Sequence, residues 1–333
     1  MKRWVVLIII VLAVGVVVWK KRPAPAAPVT TSSEKMKVEV VATGLEVPWA
    51  IAWTSPTRML VTERPGRIRV IENGQLKLEP LKTFSDVATG GEDGLMGIAV
   101  NKGQVYVCLS YKKAGKQALR IERLEDGKVI WDNVPSATFH TGCRVKFGPE
   151  GKLYFTAGDA LNKAQAQDIK SFAGKILRVD TDGSNLEIWA LGLRNPQGLA
   201  WDDKDQLWAT DHGPSGFDGP VGGDEINAIT QGGNYGWPLV SHGKTKAGTI
   251  APVKVYTPAI APAGIAWWRG KLWYGGLKGE GLYTLEGKVA EINVGRVREV
   301  VVGPDGALYI TTSNRDGRGK VLEGDDKIIR LSF

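Results

Sequence analysis

Three histidines occur in the 333 residues, and one of them, His140 in FHTGCRVKFGPEG, falls just before a strand-like run. A neutral imidazole, with an ordinary pKa of about 6.5, can take a proton from a hydroxyl group, so His140 is a candidate general base. The other reading is a histidine hydrogen-bonded within a connecting loop. Arg194 and Asn195 in LGLRNPQGLAW stand directly before a second apolar run, with Pro196 restricting the backbone between them and it. An Arg–Asn pair can bind a carboxylate or a quinone oxygen; the alternative is an arginine paired with an acid on a neighbouring element. Arg296 and Arg298 in GRVREV alternate, so both side chains point to one side of an extended segment. Two like charges there repel unless an anion lies between them. Lys278, after WYGGL, adds a third positive charge, and with Arg194 the set favours a polyanionic ligand over a solvated basic edge.

A different chemistry is suggested by GGDEINAITQGGNYGWP, from Gly222 to Pro238. Hard cations take carboxylate and backbone carbonyl oxygens. Glu225 offers the carboxylate, and the Gly232–Gly236 turn can bring the carbonyl of Tyr235 back toward it. DHGP, Asp211 to Pro214, offers further carbonyls. The spacing is not that of an EF-hand, and the competing reading is a β-turn with Asp224 and Glu225 in solvent.

The elements that must position these groups repeat along the chain. An apolar strand, a Gly/Asp/Pro turn and an aromatic strand recur in AIAWTSPTRMLVTE, GIAVNKGQVYVCLS, VKFGPEGKLYFTAGD, GLAWDDKDQLWATDHG, GIAWWRGKLWYGGLK and EVVVGPDGALYITTSN. Copies are spaced by roughly 35–65 residues, which suits a four-stranded blade with variable loops. Third strands follow in GRIRVIENG, LRIERLEDG, KILRVDTDG, DEINAI, GLYTLEG and KIIRLSF, several ending in hairpin signals. The expected fold is all-β, a six-bladed β-propeller of four-stranded antiparallel blades. The competing all-β architecture is a double sandwich, which the period disfavours. MKVEVVATGL precedes the first copy and is expected to complete the last blade beside KIIRLSF, since a ring must not leave an open edge. Twelve Trp and 42 Gly fit many short strands joined by tight turns.

Net charge is +8, but residues 1–37 carry seven Lys and Arg against one Glu, a net +6. The basicity flanks an apolar segment, Trp4 to Trp19, and forms no stripe on the body, so nucleic acid is not an expected partner. Residues 1–22 read as a signal helix or membrane anchor, 23–35 as a Pro/Ala/Thr/Ser-rich tether, and 36–333 as the propeller. The charges around the apolar segment favour a cytoplasmic body, by a margin of one. Cys108 and Cys143 form either one disulfide or two small buried hydrophobes.

In order, GLEVPWAIAW, GEDGLMG, LGLRNPQGLAW, DHGP with DEIN, GGNYGWP and GRVREV with GPDGALY resemble the soluble sugar dehydrogenases that depend on pyrroloquinoline quinone (PQQ), the glucose/sorbosone dehydrogenase family, aldose sugar dehydrogenase branch. The resemblance runs from about Val38 to Phe333. It implies a six-bladed propeller that oxidises aldose sugars at C1 to lactones, with PQQ accepting a hydride, Ca²⁺ polarising the quinone, and an external acceptor (a quinone, dye or cytochrome) taking the electrons. By the same resemblance, His140 is the general base. Arg194, which also serves catalysis, and Asn195 contact PQQ, while Lys278, Arg296 and Arg298 bind its three carboxylates. Gly213 and Pro214 bind the catalytic Ca²⁺ through carbonyls, and Glu225 and Tyr235 hold a second, structural Ca²⁺. It also implies a body outside the cytoplasm, and the apolar segment Trp4 to Trp19 with its linker is expected to hold that body at the membrane.

Two positions and one insert depart from the family pattern. Glu92 in GEDGLMG stands where many members have a Gln that contacts substrate or cofactor, and brings a negative charge beside a trianion. Phe139 stands where some members have an Asp that orients the catalytic His, so His140 needs another orienting group. SGFDGPVG, Ser215 to Gly222, is a local insert with no assigned role. The rival classes are a Ca²⁺-dependent lactonase or esterase on a similar propeller and a non-enzymatic NHL-like binding propeller.

Overall fold

The computed structural model describes Met1 and residues 35–333; the expected N-terminal helix and nearly all of the expected tether lie outside the described residues. Residues Met36–Phe333 form one compact unit. Six small antiparallel sheets make up the ring of a six-bladed β-propeller. Blade 1 runs Pro48–Ser55, Arg58–Glu63, Arg67–Glu72 and Gln75–Leu76, from the inside outward. Blade 2 runs Leu95–Asn101, Gln104–Lys113, Lys116–Arg123 and Val129–Pro135. Blade 3 has Gly142–Phe147, Leu153–Ala157, Lys175–Val179 and Glu187–Leu191. Blade 4 has Pro196–Trp201, Leu207–Asp211, Asp224–Ile229 and Lys254–Tyr256. Blade 5 has Pro262–Trp268, Lys271–Gly276, Gly281–Thr284 and Gly287–Lys288.

Blade 6 closes the ring. Its inner three strands are Val297–Val302, Leu308–Thr312 and Ile328–Ser332, and its outermost strand is Lys37–Ala42 from the other end of the body. Val38 faces Leu331 and Val40 faces Ile329 in antiparallel register. The expected closure is therefore present, and it removes the edge that Ile328–Ser332 would otherwise expose.

Local chemistry explains the strands. LYFTA (Leu153–Ala157) is buried at every position because neighbouring blades cover both of its faces, so it reads as a continuous apolar run and not an alternating one. The turn after Arg67–Glu72 places Asn73 at φ 52° and Gly74 at φ 75°, the paired positive φ values of a tight hairpin, which these two residue types tolerate best. Among the described residues, the helical content is the short 3₁₀ turn Lys163–Ala166, and no helix is long and apolar enough to cross a membrane.

The central channel is filled below its mouth. Trp49 from blade 1 is buried, and the Arg144 guanidinium lies 4.1 Å from its ring centre. Arg144 of blade 3 pairs with Glu299 of blade 6 at 2.5 Å and donates to the Gln197 carbonyl of blade 4 at 2.8 Å. This plug makes the mouth of the channel a cup with a floor.

Cys108 and Cys143 are bonded, tying the second strand of blade 2 to the inner strand of blade 3. In the chain-entropy view, closing a loop of this length stabilises by roughly 3–4 kcal/mol. The Cys108→Ser/Cys143→Ser double variant is expected to unfold at markedly lower urea concentration than the oxidised protein. An unchanged midpoint would mean that the bridge adds nothing to stability.

Candidate active site

Loops that lead into the inner strands gather at one end of the channel. They surround a cavity of about 340 Å³ whose wall includes Glu92, Gly213, Pro214, Lys278, Arg296 and Arg298, six of the residues singled out from sequence. Arg318 lines it as well. The two arginines of GRVREV differ in their partners. Arg296 is neutralised by Asp316, with Nη2 to Oδ2 at 2.7 Å, and also donates to the carbonyls of Leu277 and Ser313. Arg298 is buried, donates from Nη1 to Gln197 Oε1 at 2.9 Å, and leaves Nε without a partner. Burial pushes its pKa down to about 9 despite the attraction of Asp316. A buried guanidinium that lines a cavity and has no carboxylate bonded to it wants an anion. Lys278 is exposed at the rim.

Glu92 does not stand alone beside these cations. Its Oε1 accepts from Arg318 Nη1 at 2.9 Å, and its Oε2 accepts from Asn195 Nδ2 and from the backbone N–H of His140, both at 3.1 Å. Burial works to raise this carboxyl, but the surrounding positive groups outweigh it and hold it well below the ordinary carboxylate range. Neighbouring His212, pushed well below its ordinary value by burial, is uncharged at neutral pH, so Arg318 supplies the lasting counter-charge. Asn195 does not line the cavity. Its side chain is spent on Glu92, on the Gly142 N–H at 3.1 Å and on Gln197 at 2.9 Å.

His140 borders an adjoining cavity of about 180 Å³. Its Nδ1 lies 2.7 Å from Asp159 Oδ1, and Asp159 Oδ2 accepts from Trp237 Nε1 at 2.8 Å. This carboxylate is the orienting group that Phe139 cannot be. It fixes the tautomer with the proton on Nδ1 and leaves Nε2 as the basic nitrogen. His140 has φ 56°, and a Cβ on Gly158 would lie 1.8 Å from the His140 carbonyl oxygen, so only glycine fits beneath the base. Trp237 reaches Asp159 because Gly233–Asn234 adds in parallel to the outer strand of blade 3, pairing with Ala190 and Leu191. The aromatic loop thus braces the His–Asp pair from the next blade.

Glu225 and Tyr235 come together around a third cavity of about 10 Å³, room for one ion-sized occupant. Asp211, which sequence reasoning did not assign as a ligand, joins them. It faces Glu225 directly across strands Leu207–Asp211 and Asp224–Ile229, an arrangement that repels when both are charged. Burial, and then Asp211, push Glu225 up to about 8, and burial pushes Asp211 up to about 6. Asn227 Nδ2 donates to Glu225 Oε2 at 3.1 Å, and its Oδ1 is buried without a donor. These donors fit a hard cation. Gly213 and Pro214 border both this cavity and the cationic one; the Pro214 carbonyl already accepts from Gly222 N–H at 3.2 Å, with a second lone pair remaining. Asp224 is not solvated: its carboxylate accepts from the N–H groups of Gly213, Ile260 and Ala261 at 2.7–2.8 Å.

A raised carboxyl pKa binds more protons in the folded than in the unfolded state. In the ion-free protein the stability this pair contributes is therefore lost as pH climbs from about 4 through about 8. A divalent cation relieves the repulsion between the ionised pair, so Ca²⁺ is expected to raise the melting temperature more at pH 8 than at pH 5, against EDTA controls. Equal shifts at the two pH values would contradict this reading of the acidic pair.

Arg194 sits apart from the large cavity, at the border of the small one. Its Nε pairs with Asp218 Oδ2 at 2.6 Å, Nη2 donates to Ser215 Oγ at 3.0 Å, and Nη1 to the His212 carbonyl at 3.2 Å. His140, Asp159 and Asp218 each bring a ligand-type atom within 4.8 Å of the others, but all three already have protein partners. Asp159 and Asp211 end corresponding phrases, FTAGD and WATD, of successive repeats, a signal the sequence did carry. Arg318 had no such marker.

Residues 45–323 match the family described as Glucose / Sorbosone dehydrogenase. The chain belongs to that family. Among solved structures, it is similar to a protein from Thermus thermophilus described as a putative oxidoreductase (glucose dehydrogenase), at 38% identity and TM-score 0.81, covering 90% of this chain and 100% of that one. The PQQ-bound aldose sugar dehydrogenase of Streptomyces coelicolor matches at 32% identity and TM-score 0.77, covering 90% and 98%. The aldose sugar dehydrogenase of Escherichia coli strain K12 is 29% identical over 88% of this chain and 92% of its own length.

Proposed function

We propose that this member of the family is a dehydrogenase that oxidises aldose sugars at C1 to lactones, with PQQ held in the cationic cavity and Ca²⁺ beside it. The observation that carries this reading is the buried, incompletely paired Arg298 within the basic cavity, next to a histidine oriented by a carboxylate. Lys278, Arg296, Arg298 and Arg318 suit a polycarboxylate. When bound, PQQ supplies the two-electron acceptor, and a cation at the Gly213 and Pro214 carbonyls supplies Lewis acidity. His140 Nε2 takes the proton of the sugar hydroxyl. Asp159 keeps that nitrogen basic and stabilises the imidazolium once it forms. Trp237 and Gly158 hold the pair in place. A second cation at Asp211, Glu225 and Tyr235 stiffens the loop that carries Trp237.

Two observations argue against the rivals. A lactonase reading asks for free acidic ligands in the cavity its substrate enters, whereas Glu92 and Asp224, the carboxylates of the 340 Å³ cavity, are committed to Arg318 and to backbone N–H groups. A binding propeller has no use for an oriented His–Asp pair together with a buried arginine that has no carboxylate partner. Dye-linked oxidation of aldoses on adding PQQ and Ca²⁺ to the apo protein is the expected result. Hydrolysis of lactones without PQQ, and no oxidation with it, would favour the lactonase.

The Cys108–Cys143 bond supports a body outside the cytoplasm, where disulfides persist. We propose membrane attachment through the N-terminal segment and electron delivery to an external acceptor. Cleavage of the body by protease added to intact spheroplasts is expected, and full protection would rule out export.

A further inference from the structure

Residues Ser215–Gly222 take no part in the chemistry proposed above, yet they lie across it. Phe217 is 70% exposed, so core burial does not hold it in place. Its ring is nevertheless stacked on the imidazole of His140, with centroids 5.7 Å apart and planes 26° from parallel. The next residue, Asp218, is largely buried and carries the ion pair to Arg194 Nε at 2.6 Å. Asp218 also fixes the shape of the loop by accepting from the Ser215 N–H at 3.0 Å. Its carbonyl takes a bond from Lys163 Nζ at 3.3 Å. Three donors of Arg194, the residue the family resemblance assigns to the cofactor, are thereby committed, two of them to the insert.

The insert also separates two spaces. Its stem residues Ser215 and Val221 line the cationic cavity, while its tip residues Phe217 and Asp218 line the cavity in front of His140. A substrate that gives its proton to His140 and its electrons to an acceptor in the cationic cavity must touch both. A ring held between two others needs their centres roughly 7–8 Å apart, two contact distances of about 3.5–4.0 Å each. The separation of Phe217 from His140 is too small to admit a sugar ring.

We propose that Ser215–Gly222 is a gate over the base, latched by the Arg194–Asp218 ion pair, and that Phe217 determines which sugars reach His140. The inference rests on the sugar dehydrogenase reading for its substrate, but the gate itself does not. Opening lifts Phe217 from the imidazole and frees the two donors of Arg194 that the insert holds. A gate of this size admits a monosaccharide more readily than a longer saccharide whose second ring must pass the same residue.

The test is the rate at which diethyl pyrocarbonate modifies His140 in the full-length apo protein, followed by mass spectrometry. Phe217→Ala and Asp218→Ala should each speed the modification several-fold over wild type. Both positions lie in a surface loop outside the core strands, and circular dichroism checks that the fold is kept. In the PQQ-loaded enzyme, Phe217→Ala should also raise kcat/KM for a disaccharide relative to that for its monosaccharide. Unchanged modification in both variants overturns the gate, whatever the enzyme does with sugars. Faster modification, together with a PQQ-loaded wild type that oxidises no sugar, leaves the gate standing and removes the sugar reading.

Discussion

His140→Gln is expected to lower the rate of sugar oxidation by roughly 10²–10⁴-fold, the usual loss when a general base is removed. Asp159→Asn should fall in the same range for a different reason. Its amide can turn its NH₂ toward Nδ1, which places the ring proton on Nε2 and removes the basic nitrogen from the substrate side. In both variants the Arg298 side of the cavity is untouched, so PQQ should bind as it does to wild type. The two losses should not add in the double variant, because the residues act as one unit. Steady-state kinetics with parallel PQQ titrations measures all of this. Near wild-type turnover in His140→Gln with cofactor bound would remove the base assignment. A full-rate Asp159→Asn would mean that Asp159 serves Trp237 and not the imidazole.

Removing Arg298 should have the largest effect on cofactor affinity. Truncating one member of a buried charge pair costs roughly 2–5 kcal/mol, or about 30- to 5,000-fold in Kd. The partners set an order among the cations. Arg298 has no carboxylate bonded to it, Arg296 already has Asp316, and Lys278 is exposed. Arg298→Ala should therefore weaken PQQ most and Lys278→Ala least, the latter by about 1 kcal/mol or less. The apo protein should show the reverse trend for Arg298→Ala. Losing an unpaired buried charge, the variant should melt no lower than wild type despite the cavity it leaves, while Arg296→Ala strands Asp316 and melts lower. Sugar KM at saturating PQQ should barely move. Equal PQQ affinity in the Arg298 and Lys278 variants would contradict the ordering.

Much of this arrangement could be read from the chain because propeller geometry ties strand ends to the channel mouth. His140, Arg194, Arg296 and Arg298 each precede or open an inner strand, so the repeat alone put them at the same end of the channel. The Lys37–Ala42 strand was legible as the missing fourth strand of blade 6. Partner choice was not legible, because it depends on side-chain reach across blades. Asp159 lies 19 residues beyond His140, and Trp237 reaches Asp159 from 78 residues away. Arg296 and Arg298 looked equivalent by alternation, yet Asp316 serves only the first through direct contact. Asn195 was legible as a candidate ligand contact, but its bond to Glu92 was not. The insert carried no periodic signal, and its contacts with His140 and Arg194 emerge only when the loop is folded.

A single-turnover experiment tests the proposed chemistry most directly. Apo protein is loaded with one equivalent of PQQ and excess Ca²⁺ without oxygen, an aldose is added, and the absorbance of the bound quinone is followed. Wild type should reduce the bound PQQ in full with lactone formed in equal amount, and His140→Gln should bind PQQ but leave it oxidised on the same timescale. Bound PQQ that stays oxidised in wild type with every aldose offered would contradict the proposal.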